Sequence, residues 1–330
     1  MPSASVRRSA GQISGEDIVV EAAWLYYHDG LNQNEIAARL KVSRATVVNY
    51  LQEARERGYI NITLAAEPFT NHRIAHELCG MFDLRAAYVL PDGAGGELEQ
   101  FERAVRGAAN WLPSLLAPGD RLGVAWGKTI YDTADQIEPV TIPDLEVIQL
   151  VGSMATPYGF SAEVCSSNVA RKLGAKCVNL HVPALLSTPE IAATLRKEAI
   201  IAAQLEAIDR CNKTLFAVGS CDHDSHIVTS GIASHADLDW YVAHGAAGVL
   251  CGRFIDADGE PVRGPLDERM IGVEPTALRG KQTGLLVSVG HEKTVAMLAA
   301  LRGGYATHLV TSRTTAEHLL SLAERAETAA

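Results

Sequence analysis

The chain has 330 residues, 47% hydrophobic and 21% charged, with a formal net charge of −10. That length suggests two folding units, and the composition excludes disordered and fibrous classes. No run approaches the roughly 18 uninterrupted apolar residues of a membrane helix, and the N-terminus carries Arg7 and Arg8 without an apolar stretch, so neither insertion nor export is expected.

The six cysteines, Cys79, Cys165, Cys177, Cys211, Cys221 and Cys251, lie far apart and form no C-x-x-C pair. They read as reduced thiols of a cytoplasmic protein, and no metal or cofactor is expected. From Met1 to Ile60, seven basic residues (Arg7, Arg8, Arg39, Lys41, Arg44, Arg55, Arg57) balance seven acidic ones, so the acidic excess belongs to the rest of the chain. A neutral head on an acidic body is compatible with binding DNA through the head alone.

Residues 1–15 read as a flexible tail, and the first helix is predicted in DIVVEAAWLYYH, where Ile18, Ala22, Leu25 and Tyr26 fall at helical spacing before Asp29-Gly30. Asn32 and Glu35 form a capping-box pattern ahead of Ile36, Ala37 and Leu40, which predicts a short second helix. Ser43 can cap a third helix over SRATVVNYLQEARERG, with Val47, Tyr50, Leu51 and Ala54 inward. Two helices joined by a tight turn form the helix-turn-helix pattern, although any three-helix bundle shares the periodicity. In that pattern Arg44, Ala45, Thr46 and Asn49, behind the Ser43 cap, are best placed to meet base edges of double-stranded DNA. The alternating YINITL that follows predicts a wing strand.

The head therefore spans 16–65, and FTNHRIAHELCGMFDL predicts a linker helix within 66–84. From residue 85 to 330, strand-like runs alternate with helical stretches: AAYVL, RLGVAW, LEVIQLVG, CVNLHVP, TLFAVGS, AAGVLCGRF and GLLVSVG. The alternation predicts an α/β domain with a largely parallel sheet, whose ligands bind at the carboxyl ends of the strands.

Three strand ends carry anion-friendly chemistry. Gly127, Lys128 and Thr129 follow RLGVAW and open a helix, where free N–H groups favour negative charge. Gly123 and Gly127 are separated by three residues, one fewer than a nucleotide-binding loop requires. Gly152 and Ser153 follow LEVIQLV, and Gly290 precedes Lys293 at another helix start. Arg253 is a candidate anion clamp, while Asp258-Gly259 beside it reads as a hairpin turn. The cluster Asp222, His223, Asp224 and His226 reads as a polar pocket rim in preference to a metal or acid–base site.

The head AWLYYHDGLNQNEIAARLKVSRATVVNYLQEARERGYI, with GVAWGKTI, LVGSM, GRFIDADGEPV and VGHEKTVAMLAALRGGYATHLVTSRTTAEHLL, closely resembles the SorC family of sugar-responsive regulators over about residues 17–322. The resemblance implies a winged helix-turn-helix, a Rossmann-like effector domain of the sugar-phosphate isomerase/deaminase type, and a homo-oligomer, dimer or tetramer, on operator DNA. It further implies repression relieved by a phosphosugar, with Gly127, Lys128 and Thr129 as the phosphate loop, Gly152 and Ser153 as a second glycine turn, and Lys293 as an effector contact. Many members have Gly-Asp where this chain has Gly248-Val249, which removes a carboxylate expected to hold effector hydroxyls. Asp222 or His223 could compensate. The rival class is a sugar-phosphate isomerase or deaminase with His223 as proton shuttle, which would not need the head.

Overall fold

The computed structural model describes residues 15–62, 64–154 and 159–329. The expected tail, apart from residue 15, lies outside the described residues. The chain divides into two compact units, Met1–Leu64 and Ala65–Ala330.

The first unit is built from three helices, α1 (Gly15–Tyr27), α2 (Gln33–Leu40) and α3 (Arg44–Glu56). Gly30, at φ 73°, turns the chain after α1 where a side chain would be strained. The expected capping box forms: Asn32 Oδ1 accepts from the N–H groups of Asn34 and Glu35, and Glu35 accepts from the Asn32 N–H at 2.7 Å. Lys41, left-handed at φ 54°, closes α2 and sets a tight turn into α3. The three helices share a core of Ala22, Leu25, Ile36, Ala37, Val47 and Leu51, flanked by Val19, Ala23 and Ala54. Tyr26, expected inward, is exposed.

The expected wing strand does not form among the described residues of 59–64. A strand needs a neighbour to take its backbone N–H and C=O groups, and the described residues of this unit contain no other strand. Ile60 instead packs against the helices, leaving Ile62 and Leu64 exposed.

In the second unit the predicted linker is two helices, Glu67–Thr70 and Arg73–Phe82. The latter buries Ile74, Ala75 and Leu78 in the core of this unit. Among the described residues ten strands follow: β1 (Ala86–Leu90), β2 (Arg121–Val124), β3 (Glu146–Gln149), β4 (Lys176–Val178), β5 (Lys213–Phe216), β6 (Val218–Gly219), β7 (Ala246–Leu250), β8 (Arg253–Asp256), β9 (Thr283–Val287) and β10 (His308–Ser312). Seven pair in parallel in the order β1-β10-β9-β5-β2-β3-β4. Every residue of β5, β9 and β10 is buried, so both faces of the sheet centre are covered, as parallel strands require.

The sequence order of this sheet reverses between β2 and β5. From β2 the chain proceeds outward through β3 and β4, whereas β5 leads the other way through β9 and β10. Such a reversal splays the loops leaving the two strands and opens a crevice at their carboxyl ends.

Over that end stands a small antiparallel sheet, β6-β7-β8, entered from β5 through Ala217 alone. AAGVLCGRF, expected as one strand, is a hairpin. Cys251 and Gly252, with φ of 50° and 82°, form its turn, the positive-φ pair that suits tightly twisted hairpins. Asp256-Ala257-Asp258-Gly259 makes a further turn, in which Asp256 Oδ1 accepts from the N–H groups of Asp258 and Glu260. No helix among the described residues is long and apolar enough to cross a membrane.

Candidate effector pocket and recognition helix

A cavity of about 260 Å³ occupies the crevice. Ala125–Thr129 leaving β2, Ala217–Ser220 leaving β5, and Ser288, Val289, Glu292 and Lys293 leaving β9 line its sheet side. Ser225, His226 and Ile227 at the start of a short helix (His226–Thr229) and Val249, Cys251 and Gly252 of the small sheet's hairpin close it, and Phe101 adds an aromatic edge. Two of the three glycine turns thus reach one cavity.

Gly127 caps the helix Lys128–Gln136 with φ 112° and ψ 168°, a backbone that only glycine adopts without strain. Gly290 repeats this geometry at φ 108° and ψ 144°, ahead of the turn that carries Lys293. The helix after Gly127 leaves its first N–H groups without intrahelical acceptors, and Gly127, Lys128 and Thr129 line the cavity. Amides and dipole together favour an anion there.

The cations complete this arrangement unequally. Lys293 has no ion pair among the described residues, and burial lowers its pKa against the smaller opposing pull of Glu292, Asp222 and Asp224. His226, tilted against Phe160, has its pKa lowered by burial and further by Lys293 and Lys128. The pull of Lys293 and Lys128 on His226 marks a positive potential in the cavity, which favours a ligand carrying negative charge. Lys128 is engaged elsewhere: its ammonium pairs with Asp132 and lies 4.2 Å from the centre of the Phe101 ring. An anion in the cavity would have to draw it from Asp132.

Four expected effector residues stand outside this lining. Gly152 crosses a neighbouring segment so closely that a Cβ would lie 2.7 Å from the Ala184 backbone. The N–H of Gly152 donates to Ile271 and that of Ser153 to Val182, so both serve chain crossing. Arg253 is no anion clamp. Its side chain, 3% exposed, is held by Asp267 at 2.9 Å and Glu274 at 2.8 Å, satisfied internally. Asp222 is exposed and reaches the cavity only through its field on Lys293. His223 bonds to Asp239 at 2.7 Å, with both side chains largely exposed, which removes it as a proton shuttle in the cavity. The rim expected around these residues is supplied by Ser225 and His226.

Pattern reading did not select Ser220 or Ser288, whose positions past β5 and β9 depend on strand order. Ser225 Oγ is buried without a hydrogen-bond partner among the described residues. Val249, recognised as a departure from the family pattern, does line the cavity. Cys251 lines it too, its thiol pushed up to about 12 by burial, which disfavours the thiolate.

In the first unit Ser43 caps α3, accepting from the Thr46 N–H at 3.0 Å while the two hydroxyls lie 2.8 Å apart. Arg44, Ala45 and Asn49 are exposed on the first turns of α3, Thr46 is half-buried, and Val47 points into the core. The Arg44 Nε donates to Gln33 Oε1 on α2 at 3.1 Å, which ties the start of α3 to the start of α2.

A parallel sheet with an anion-favouring cavity at its switch point, preceded by a separate helical head, defines a sensor joined to a second module. The family model described as "Putative sugar-binding domain" matches residues 66–321. The chain is 36% identical over 311 residues to the transcriptional regulator YjhU of Escherichia coli K12, covering 93% of this chain and 95% of that protein. The deoxyribonucleoside regulator of Bacillus subtilis is 29% identical over 315 residues, covering 93% and 98%. The structure of the full-length sorbitol operon regulator SorC from Klebsiella pneumoniae superposes with a TM-score of 0.75 at 26% identity, covering 92% and 98%. The chain belongs to this sugar-binding-domain family of SorC-type transcriptional regulators. These relatives and the structural neighbour are regulators and not enzymes.

Proposed function

We propose that the chain is a cytoplasmic DNA-binding repressor of a carbohydrate or polyol uptake or catabolic operon, controlled by a compact sugar phosphate in the cavity at the β2/β5 switch point. The observation that carries the reading is Lys293, desolvated beside the amide-rich start at Gly127 and lacking an ion pair among the described residues. A phosphate there would supply the missing charge.

In this reading α3 is the recognition helix of a helix-turn-helix, with Arg44, Ala45, Thr46 and Asn49 facing operator base edges and Ser43 fixing its start. Two or four copies on repeated half-sites would supply the affinity that one short helix lacks. The effector acts by binding one conformation or assembly better than another.

The test joins salt-dependent operator binding by fluorescence anisotropy to a panel of C4–C6 sugars and their phosphates. Arg44→Ala is expected to weaken specific binding by ~1–3 kcal/mol, as loss of a bidentate base contact does, and to leave effector binding intact. Lys293→Ala is expected to leave operator binding intact and abolish the response. Turnover of a phosphosugar, or an unchanged response in Lys293→Ala, would overturn the reading.

A further inference from the structure

We propose that Val249 sets the specificity of this cavity by excluding hydroxyl groups from its floor, so that the effector is a compact phosphomonoester with a C–H face, such as a deoxy sugar phosphate. The inference rests on the phosphosugar reading above and narrows it.

Val249 on β7 is the cross-strand partner of Gly219 on β6, and both line the cavity. Directly opposed residues of an antiparallel pair share a face. Gly219 has no positive φ that would demand glycine, and a Cβ there would stand 3.3 Å from the Val249 Cβ. A Cβ there would crowd the valine, so glycine at 219 keeps the isopropyl group uncovered on the cavity side.

The surroundings of the isopropyl group are apolar. Val249 is 7% exposed and belongs to a cluster with Ile227, Phe254 and Met270, so packing holds its isopropyl group in place. Valine offers no acceptor or donor. A hydroxyl seated against the isopropyl group would leave its water partners and gain none from Val249, which lowers affinity by up to about a hundredfold by comparison with other apolar sites. The cavity, about 260 Å³, is smaller than the roughly 300–1,000 Å³ of drug-sized ligand sites, so a short carbon chain or single ring must meet this wall.

The experiment is calorimetric titration of the full chain with matched phosphates: 2-deoxyribose 5-phosphate against ribose 5-phosphate, and 2-deoxyglucose 6-phosphate against glucose 6-phosphate. The deoxy member of at least one pair is expected to bind tenfold tighter or more. Val249→Asn, which puts an amide acceptor and donor on the floor, is expected to bring that ratio to near one or to invert it. Val249→Thr keeps the branched shape, adds a hydroxyl, and carries the test if the asparagine variant melts below the assay temperature. Equal binding within both pairs, or a ratio that survives in the folded variants, overturns the proposal. The two readings fail differently: equal binding of all four phosphates that is lost in Lys293→Ala removes only the role of Val249. Binding of none of them removes the phosphosugar site and this inference with it.

Discussion

Replacing Lys293 with methionine is expected to weaken phosphosugar binding while leaving the unliganded protein as stable as the wild type or more so. The ammonium is desolvated in the cavity and has no ion pair among the described residues, so it is a burden on the empty protein. Methionine keeps the unbranched stem and removes the charge. A hydrogen bond to a charged group contributes about 1.5–3 kcal/mol, which at about 1.4 kcal/mol per decade is roughly a ten- to 150-fold loss of affinity. Calorimetry at fixed ionic strength reads the affinity, and thermal melting with and without ligand reads the stability, since the effector stabilises in proportion to the logarithm of its saturation. The pH dependence has a definite sign. A lysine whose folded pKa lies below its unfolded value takes up its proton first in the unfolded chain. The wild type therefore loses stability as pH falls through the window just below the ordinary lysine value, and Lys293→Met lacks that slope. A variant that melts well below the wild type yet binds phosphosugars normally would refute the reasoning, because Lys293 would then be structural.

Arg253→Ala should destabilise by ~1–3 kcal/mol, since it removes the ion pair at the nearly buried carboxylate of Asp267, which keeps its hydrogen bonds from Tyr241 and Gly264. Effector affinity of the folded fraction should be unchanged in a titration below the new melting point; a normal melt with lost binding would restore Arg253 as a ligand. Gly127→Ala meets no steric obstacle at its Cβ, so any loss comes from its φ of 112°. About 1–3 kcal/mol of strain is expected, with weaker phosphate binding by calorimetry. Ser43→Ala should lower the melting of the head by ~1 kcal/mol through loss of the cap on the Thr46 N–H. His308, its pKa lowered to about 4 by burial and by Arg85 and Lys213, resists protonation in the folded state. Stability is therefore lost as pH falls from about 6.5 towards 4 and levels off below; His308→Asn should flatten the slope by ~2 kcal/mol in pH-dependent denaturation, after discounting for solvent screening.

The three head helices were legible because their signals are local: Asn32 with Glu35 and Ser43 with Thr46 satisfy amides within one turn. YINITL has the alternation of a strand, but alternation cannot supply a partner, and the described residues of the segment form no strand. HLVTS escaped notice because His308, Thr311 and Ser312 make a buried central strand look polar. The Cys251-Gly252 hairpin was hidden because cysteine rarely takes positive φ and gives no turn signal. Gly127 and Gly290 announced their site through the strand-glycine-helix pattern. Gly152 gave much the same signal, and only the Ala184 backbone beside it, contributed by a distant stretch, shows that closeness to the chain and not to a ligand is its reason.

The pairing of β1 with β10 also has a consequence in time. Among the described residues Ala86–Leu90 have only His308–Ser312 as a sheet neighbour, and β10 in turn is the bridge from β1 to β9. During synthesis β1 emerges first and must wait for nearly the whole remaining chain before its partner leaves the ribosome. Meanwhile Tyr88 and Val89, both buried in the finished core, stay accessible to chaperones or to other nascent chains. A chain ending before residue 308 would keep β2, β3, β4, β5 and β9 but leave β1 unpaired, so late truncations should accumulate as aggregates and not as shortened sensors.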